Sequence, residues 1–554
     1  MLKRLSKIQK FGLILVLGVA MTFAACTDVT DNVTDQVTSD NFFQTPQEFI
    51  SAMGDVYGSL TAFGGDSGFK NSNEVSSDEG VFPQRGQDWF DGGVWLRQHR
   101  HTWRYDEPHL NSAWQQLFTG VNNANRLIFQ FEQSVESGGA DPEAAAAFIS
   151  ELKIMRAFYY YWLLDMFGNV PIITSFDEAP ETPSQPSADF QQGRQAVFDF
   201  VEQALLDNID DVSTDVQSTY GRANKWAAHF VLAKLYLNAE VYTGTARWDD
   251  ALTHLNEIIN SGNYSLAGNF FDNFVTNNSG SPEFILAVPY DRVFLGGFSF
   301  HQASLHYGMQ GTFQMESQPW NGFSTQAEFY NSFIDPEENP GPQGPVIGLM
   351  GQEQQGTQDV RRNSFLVGPQ LTAGGEPVMD NAVASDFDQD GPQVVLTPTI
   401  NELEPNACRQ CGARIGKWEI QLGASSNLSN DYAIFRYADV LLMKAEALWR
   451  MNPGNQEALM LVNTIRNRAG VDGLGQLTAD NLLAERGREF FYEIWRRQDL
   501  IRFDSNSGNA TRFNDPWWEK DSPSEPWRTV FPVPRNQLEA NPNLVQHSHS
   551  GYQG

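Results

Sequence analysis

The sequence predicts a mostly α-helical body, with helix pairs near its middle and near its carboxyl end and a loop-rich region of short strands between them. Two observations carry that prediction. Apolar residues recur at three- and four-residue steps over long stretches of both halves, the period of a helix with one buried face. From about Asn263 to Asn430 that period is lost and Gly, Pro, Asn and Phe dominate, the composition of strands and long loops.

At the amino end, Lys3, Arg4 and Lys7 precede an apolar run from Phe11 to Ala20. That run is shorter than the ~20 residues needed to span a bilayer, and residues 1–25 read as a lipoprotein signal peptide. Ala24 and Ala25 suit cleavage before Cys26, so no transmembrane helix is expected to remain. A cysteine at the cut resembles a bacterial lipobox, in which the thiol is lipidated, although Phe23 stands where Leu is usual. Ordinary secretion, with Cys26 in or near the cleaved segment, is the alternative. Residues 26–40 are polar and acidic without apolar periodicity, which predicts a flexible tether. The remainder is long for one core and divides into an amino-terminal helical region, 41–270, and a carboxyl-terminal region, 271–554.

Phe148, Leu152, Met155, Tyr159, Trp162 and Met166 share one helical face, and Gly168, Asn169 and Pro171 stop that helix in the expected order. A second helix is predicted over Asn224 to Glu240 and a third over Asp249 to Ser261, ended by Gly262. The arrangement recurs at Tyr437 to Met451 and Gln456 to Ala469, on either side of Pro453-Gly454-Asn455. Small residues at contact positions (Ala227, Ala233, Ala251, Ala445, Ala458) make both pairs look like tetratricopeptide-type repeats, without the full 34-residue consensus.

The net charge is −31, and residues 1–25 carry four basic side chains and no acidic ones, so the mature chain is more acidic still. Nucleic acid is excluded as a partner, because a phosphate backbone is held by clustered Lys and Arg. Cys408 and Cys411 are the only cysteines after Cys26; outside the cytoplasm their spacing permits a local disulfide, or they are inert thiols. A zinc site would need further ligands that the neighbourhood does not offer.

Six segments in order resemble the SusD/RagB family: Lys153-Ile-Met-Arg-Ala-Phe-Tyr-Tyr-Tyr-Trp-Leu-Leu-Asp-Met-Phe-Gly-Asn-Val-Pro171, Ala233-Lys-Leu-Tyr-Leu-Asn-Ala-Glu240, Phe435-Arg-Tyr-Ala-Asp-Val-Leu-Leu-Met-Lys-Ala-Glu-Ala-Leu448, Val462-Asn-Thr-Ile-Arg-Asn-Arg-Ala-Gly470, Glu485-Arg-Gly-Arg-Glu-Phe-Phe-Tyr-Glu-Ile-Trp-Arg-Arg-Gln-Asp-Leu-Ile-Arg502 and Phe531-Pro-Val-Pro-Arg-Asn-Gln-Leu-Glu-Ala-Asn-Pro-Asn-Leu-Val-Gln546. The resemblance spans nearly the whole chain. It implies a SusD-like helical body carrying tetratricopeptide-like pairs, tethered by lipid to the outer leaflet of the outer membrane and facing the medium. It further implies that the protein is not an enzyme. It would bind oligosaccharide, or peptide as RagB-like proteins do, and pass it to a SusC-like TonB-dependent β-barrel.

Sugar rings stack their C–H faces on aromatic side chains while amides and charged groups hold the hydroxyls. The segment Pro83 to Tyr105 offers that chemistry, with Arg85, Asp88, Trp89, Asp91 and Trp95 as ligand-binding candidates and Trp103 nearby. Burial between helices is the competing expectation for these tryptophans. A second candidate stretch holds Tyr307, Phe313, Trp320, Asn321 and Phe323, where Trp320 follows a proline and precedes Asn-Gly. Asp386, Asp388 and Asp390, followed by Gly391, open like a calcium loop but lack the bidentate Glu, since Thr397 occupies that place. No other cofactor is indicated. The pairs His99/His101 and His547/His549 lack a third metal ligand.

Glu485, Glu489 and Glu493 recur every four residues among Arg486, Arg488, Arg496 and Arg497. Carboxylates one turn apart among arginines predict an ion-pair lattice on one helix, with Arg496 and Asp499 in the network, rather than the facing pair a glycosidase needs. Two other functions compete with ligand delivery: a secreted glycan-degrading enzyme, for which no nucleophile elbow or metal-binding helix is present, and a repeat scaffold that binds only proteins.

Overall fold

The computed structural model describes residues 43, 45–333, 359–380, 393–504 and 512–552. Cys26 and the calcium-loop aspartates Asp386, Asp388 and Asp390 lie outside these.

After short helices between Pro46 and Gly64 come α1 (Gly68–Val75), α2 (Val94–His99), and the long antiparallel pair α3 (Pro108–Glu136) and α4 (Pro142–Phe167). In α4 the sequence dictates both ends. The Asp141 carboxylate accepts from the Ala144 amide at 2.8 Å, Pro142 occupies the first turn, and Gly168 at φ +69° closes the helix. From Leu152 onward α4 is buried on nearly every side, so its tyrosine hydroxyls need partners. Tyr159 donates to the Val56 carbonyl at 2.6 Å, and the Tyr160 hydroxyl accepts from the Ile173 amide at 2.6 Å. Gly120 of α3 lets α4 approach, because a Cβ there would meet the Tyr159 ring at 2.5 Å.

α5 (Phe190–Leu206) packs on α4, followed by α6 (Lys225–Leu237) and α7 (Trp248–Ser261). Near the carboxyl end are α8 (Tyr437–Met451), α9 (Gln456–Arg468), α10 (Ala479–Phe490), α11 (Arg496–Phe503) and α12 (Arg535–Ala540). The two predicted hairpins are present, and α7 packs against α8, so they form one continuous array. Among the described residues the intervening region is built of short strands, short helices and loops. Phe284–Val288 pairs antiparallel with Tyr432–Arg436, and among the described residues three other two-stranded sheets fasten the loops, one of them Gly80–Val81 with Ser324–Thr325. The main hydrophobic core draws on residues from Phe43 to Leu544, across the division near residue 270, with two small clusters beside it. Among the described residues no helix is long and apolar enough to cross a membrane.

The predicted lattice is present, with one correction. Glu485 and Glu489 lie on α10, but the helix ends at Phe490 and Glu493 lies beyond it. Tyr492 and Ile494 take positive φ, and their amides donate to the buried carboxylates of Glu79 and Glu74, each at 2.9 Å, which pulls the chain off the helical path. Glu493 nevertheless meets Arg436, the guanidinium that also binds Glu489 and Glu283 at 2.8–3.1 Å. Arg496 and Asp499 both join ion pairs but with different partners, Asp78 for the first and Arg486 and Arg502 for the second.

Burial pushes the Glu485 carboxyl up, but Arg361, Arg488 and Arg466 outweigh it and hold the group at about 2. An unfolded glutamate titrates near ~4.3. The folded value is depressed, so the stabilisation is present above the unfolded value and is lost as pH falls from about 5 towards 2. Glu485→Gln is therefore expected to lower stability by about 3 kcal/mol at pH 6. Urea unfolding of variant and wild type should then converge as pH falls through this window, and a gap independent of pH contradicts the assignment.

Candidate ligand site

The 83–91 turn is held from inside. Arg85 and Asp88 exchange backbone hydrogen bonds at 3.0 Å, with Gly86 at φ +63° between them. The Arg85 side chain turns inward and is only 4% exposed. Its guanidinium donates to the carbonyls of Asn321 (2.7 Å), Gly322 (2.9 Å) and Cys411 (3.0 Å) and to the Ser324 hydroxyl (2.9 Å). Arg85, expected at the surface, is thus an internal brace that joins three loops. Arg414 does the same from the other side, donating to Asn321 Oδ1 at 2.8 Å and Ser324 Oγ at 2.6 Å. Cys408 and Cys411 form a disulfide in the third loop.

This bracing decides where the next residues point. Trp89, at φ +62°, lies stacked on Phe82 at 4.5 Å between ring centroids, and its indole N–H donates to the Trp320 carbonyl at 2.9 Å. It covers Gly322 so closely that a Cβ there would fall 2.2 Å from the ring. Trp320 follows with its own amide tied to the Gln302 carbonyl at 2.7 Å and Asn321 locked beside it. With both flanks fixed, its side chain stands out from the surface, 41% exposed.

Beside Trp320 opens a cleft of about 440 Å³. Hydroxyls of Ser59, Thr61 and Ser67, the Gln116 amide and the Asp66 carboxylate line it. Asp88 and Asp91 are exposed on the adjoining turn; Asp88 accepts from the Tyr307 hydroxyl, and Asp91 Oδ2 accepts from the Trp95 indole at 2.9 Å. Burial, and then Asp88, raises the Tyr307 phenol above its ordinary value, so it remains a donor. An aromatic plate beside a cleft lined by hydroxyl, amide and carboxylate groups is suited to a neutral polyol.

The structure brings Asp88, Trp89, Asp91 and Trp320 to one surface and removes others from it. Trp95 is 8% exposed, because the Gly92-Gly93 pair starts α2 rather than extending the loop; its ring packs on Phe82 at 4.9 Å and His109 at 5.0 Å. Trp103, Phe313, Asn321 and Phe323 are also buried. His99 and His547 each bond a backbone carbonyl, of Trp518 at 2.7 Å and Phe531 at 2.8 Å, and burial lowers them to about 4 and about 3. Among the described residues no three His, Cys, Asp or Glu side chains gather as a metal site would require. Sequence reasoning missed Phe294, which is 89% exposed at the tip of a turn where Asp291 Oδ1 accepts from the amides of Val293 and Phe294. The signal was there in Asp291 followed by Gly296-Gly297, a turn that leads straight to the cleft-lining Gly297.

Two family models match the chain: residues 282–552 fit the SusD family, and residues 69–237 fit a model described as starch-binding associating with outer membrane. The chain belongs to the SusD family. Its relatives include the SusD-like protein P25 of Formosa agariphila, 24% identical over 80% of each chain. Another is the starch-binding protein SusD of Bacteroides thetaiotaomicron, 25% identical over 72% of each. The second of these is named as a binding protein. Among solved structures, surface glycan-binding protein A from Bacteroides uniformis superposes with TM-score 0.68 at 20% identity, covering 91% of this chain and all of that one. The protein of the same name from Bacteroides thetaiotaomicron, in complex with laminarihexaose, gives 0.67 at 19% identity over 90% and 99%. The mostly helical fold is common to this chain and those two solved structures.

Proposed function

We propose that this SusD-family protein is a glycan-capture protein rather than an enzyme, with Trp320 and the exposed edge of Trp89 as its stacking surface. The observation that carries the reading is the braced exposure of Trp320 beside a cleft of hydroxyl, amide and carboxylate groups. Asp88 and Asp91 lie within reach of hydroxyls at the rim. Starch-binding and laminarihexaose-bound relatives support a saccharide over a peptide as ligand. In this reading Cys26 carries the lipid that holds the protein at the outer-membrane surface, facing the medium, and bound glycan passes to a SusC-like TonB-dependent transporter. The acidic surface suits a neutral ligand, since it repels polyanions.

Titration with laminarihexaose and with starch oligosaccharides is expected to change tryptophan fluorescence, because Trp320 is exposed where the ligand stacks. Saturable change with a peptide library and none with glycans would replace the saccharide reading by a peptide one; no change with either would favour a protein-only scaffold.

A further inference from the structure

A second cleft, of about 630 Å³, lies along the same helix as the first. α3 supplies Gln116 and Thr119 to the cleft beside Trp320, and Trp114, Phe118, Thr119 and Asn122 to the second; Thr119 lines both. From Gln116 to Asn122 the helix rises only about 9 Å at ~1.5 Å per residue. The two openings are therefore neighbours on one surface.

The walls of the second cleft are built in advance. Its far side is the stretch from Pro171 to Pro183 and the end of α12. These are tied together by Asn541 Nδ2 donating to the Pro183 carbonyl at 2.8 Å and by Asn543 Nδ2 donating to the Thr182 carbonyl at 2.7 Å. Gln537 Nε2 donates to Asn111 Oδ1 of α3 at 2.9 Å, which links the far wall to the near one. The floor is apolar, formed by Trp114 and Phe118, largely buried rings (4% and 9% exposed) 5.0 Å apart. The rim carries the amide of Asn122 and the carboxylate of Glu181, both exposed. No Lys or Arg lines the cleft, so it offers nothing to a phosphate or carboxylate ligand.

We infer that this cleft is a second saccharide subsite, continuous with the first through Thr119, which holds a further part of the same extended glycan. The inference rests on the reading of the Trp320 surface as a glycan site. An apolar floor with amide and carboxylate groups at the rim shares the polar part of the chemistry beside Trp320, and without an exposed ring it would hold a sugar through its hydroxyls rather than by stacking. A chain that engages both openings binds the second as an intramolecular event and gains affinity with length.

The test is calorimetry on the complete chain in detergent, with laminarin and starch saccharides as trisaccharides and as long chains. Wild type, Trp320→Ala and the double variant Asn122→Ala/Glu181→Ala are compared, the double variant being checked for an unchanged Tm. Long chains are expected to bind wild type about tenfold or more tighter than trisaccharides. The double variant should lose that advantage while keeping trisaccharide affinity, and Trp320→Ala should weaken both. A length advantage intact in the double variant overturns the second subsite and leaves the Trp320 reading in place. Absence of any saccharide binding to wild type, or no effect of Trp320→Ala, overturns the first reading and this one with it.

Discussion

Glu489→Ala is expected to destabilise the protein by about 3–5 kcal/mol, the usual cost of removing one partner from a buried ion pair. Glu489 is fully buried and receives Arg468 at 2.5 Å, Arg436 at 3.1 Å and Arg361 at 3.2 Å. Burial raises its carboxyl, but those arginines together bring it well below the ordinary carboxylate range. Without it three guanidinium groups face one another with less negative charge between them, in a region where water cannot screen them. Urea unfolding reads the loss as a lower midpoint. Because the lattice joins α9, α10 and the Phe284–Val288 sheet, the variant should also expose the edges of the helical array to hydrogen exchange. An unchanged midpoint would mean that the lattice is not what fastens the two halves.

Arg85→Met is expected to disable the site without removing a ligand contact. The methionine fills much of the volume but donates to nothing; Arg414 still reaches Ser324 Oγ at 2.6 Å and the Cys411 carbonyl at 2.7 Å, and Ser324 Oγ still reaches the Gly322 carbonyl at 3.2 Å, so the Asn321 carbonyl loses most. An orphaned buried acceptor costs ~1–3 kcal/mol, and with the weakened bonds beside it the total is about 2 kcal/mol. The loss should be local: the Trp320 loop loosens, tryptophan emission becomes more solvent-like, and glycan affinity falls while helical circular dichroism persists. Weakened binding with an unchanged Tm would instead assign Arg85 a direct contact with ligand.

The helices were legible because their punctuation is local. Asn224 caps α6, Gly262 ends α7 at φ +67°, and Asn455 caps α9, each within a few residues of the periodic segment it bounds. Trp320 was legible for the same reason, since Pro319 before it and Asn321-Gly322 after it mark a turn that holds it outward. Arg85 was not, because the groups that bury it lie 236 to 326 positions away. Trp95 was misplaced because Gly92-Gly93 reads as a helix breaker, whereas Gly93 at φ +77° is the left-handed residue from which α2 starts. The acidic repeat was correctly assigned to scaffold, but its third member left the helix because Glu74 and Glu79, some 400 residues earlier, capture the amides that would have continued it. Local signals thus fixed the helix ends, and distant partners decided which charged and aromatic residues reach the surface.

The central claim, that glycan stacks on the braced Trp320, is tested most directly by calorimetric titration of wild type and Trp320→Ala with laminarihexaose. A binding hot spot of this kind is worth about 2 kcal/mol or more, so the variant should bind at least about thirtyfold more weakly at an unchanged Tm. Equal affinity of the two proteins would contradict it and move the ligand to another surface of the molecule.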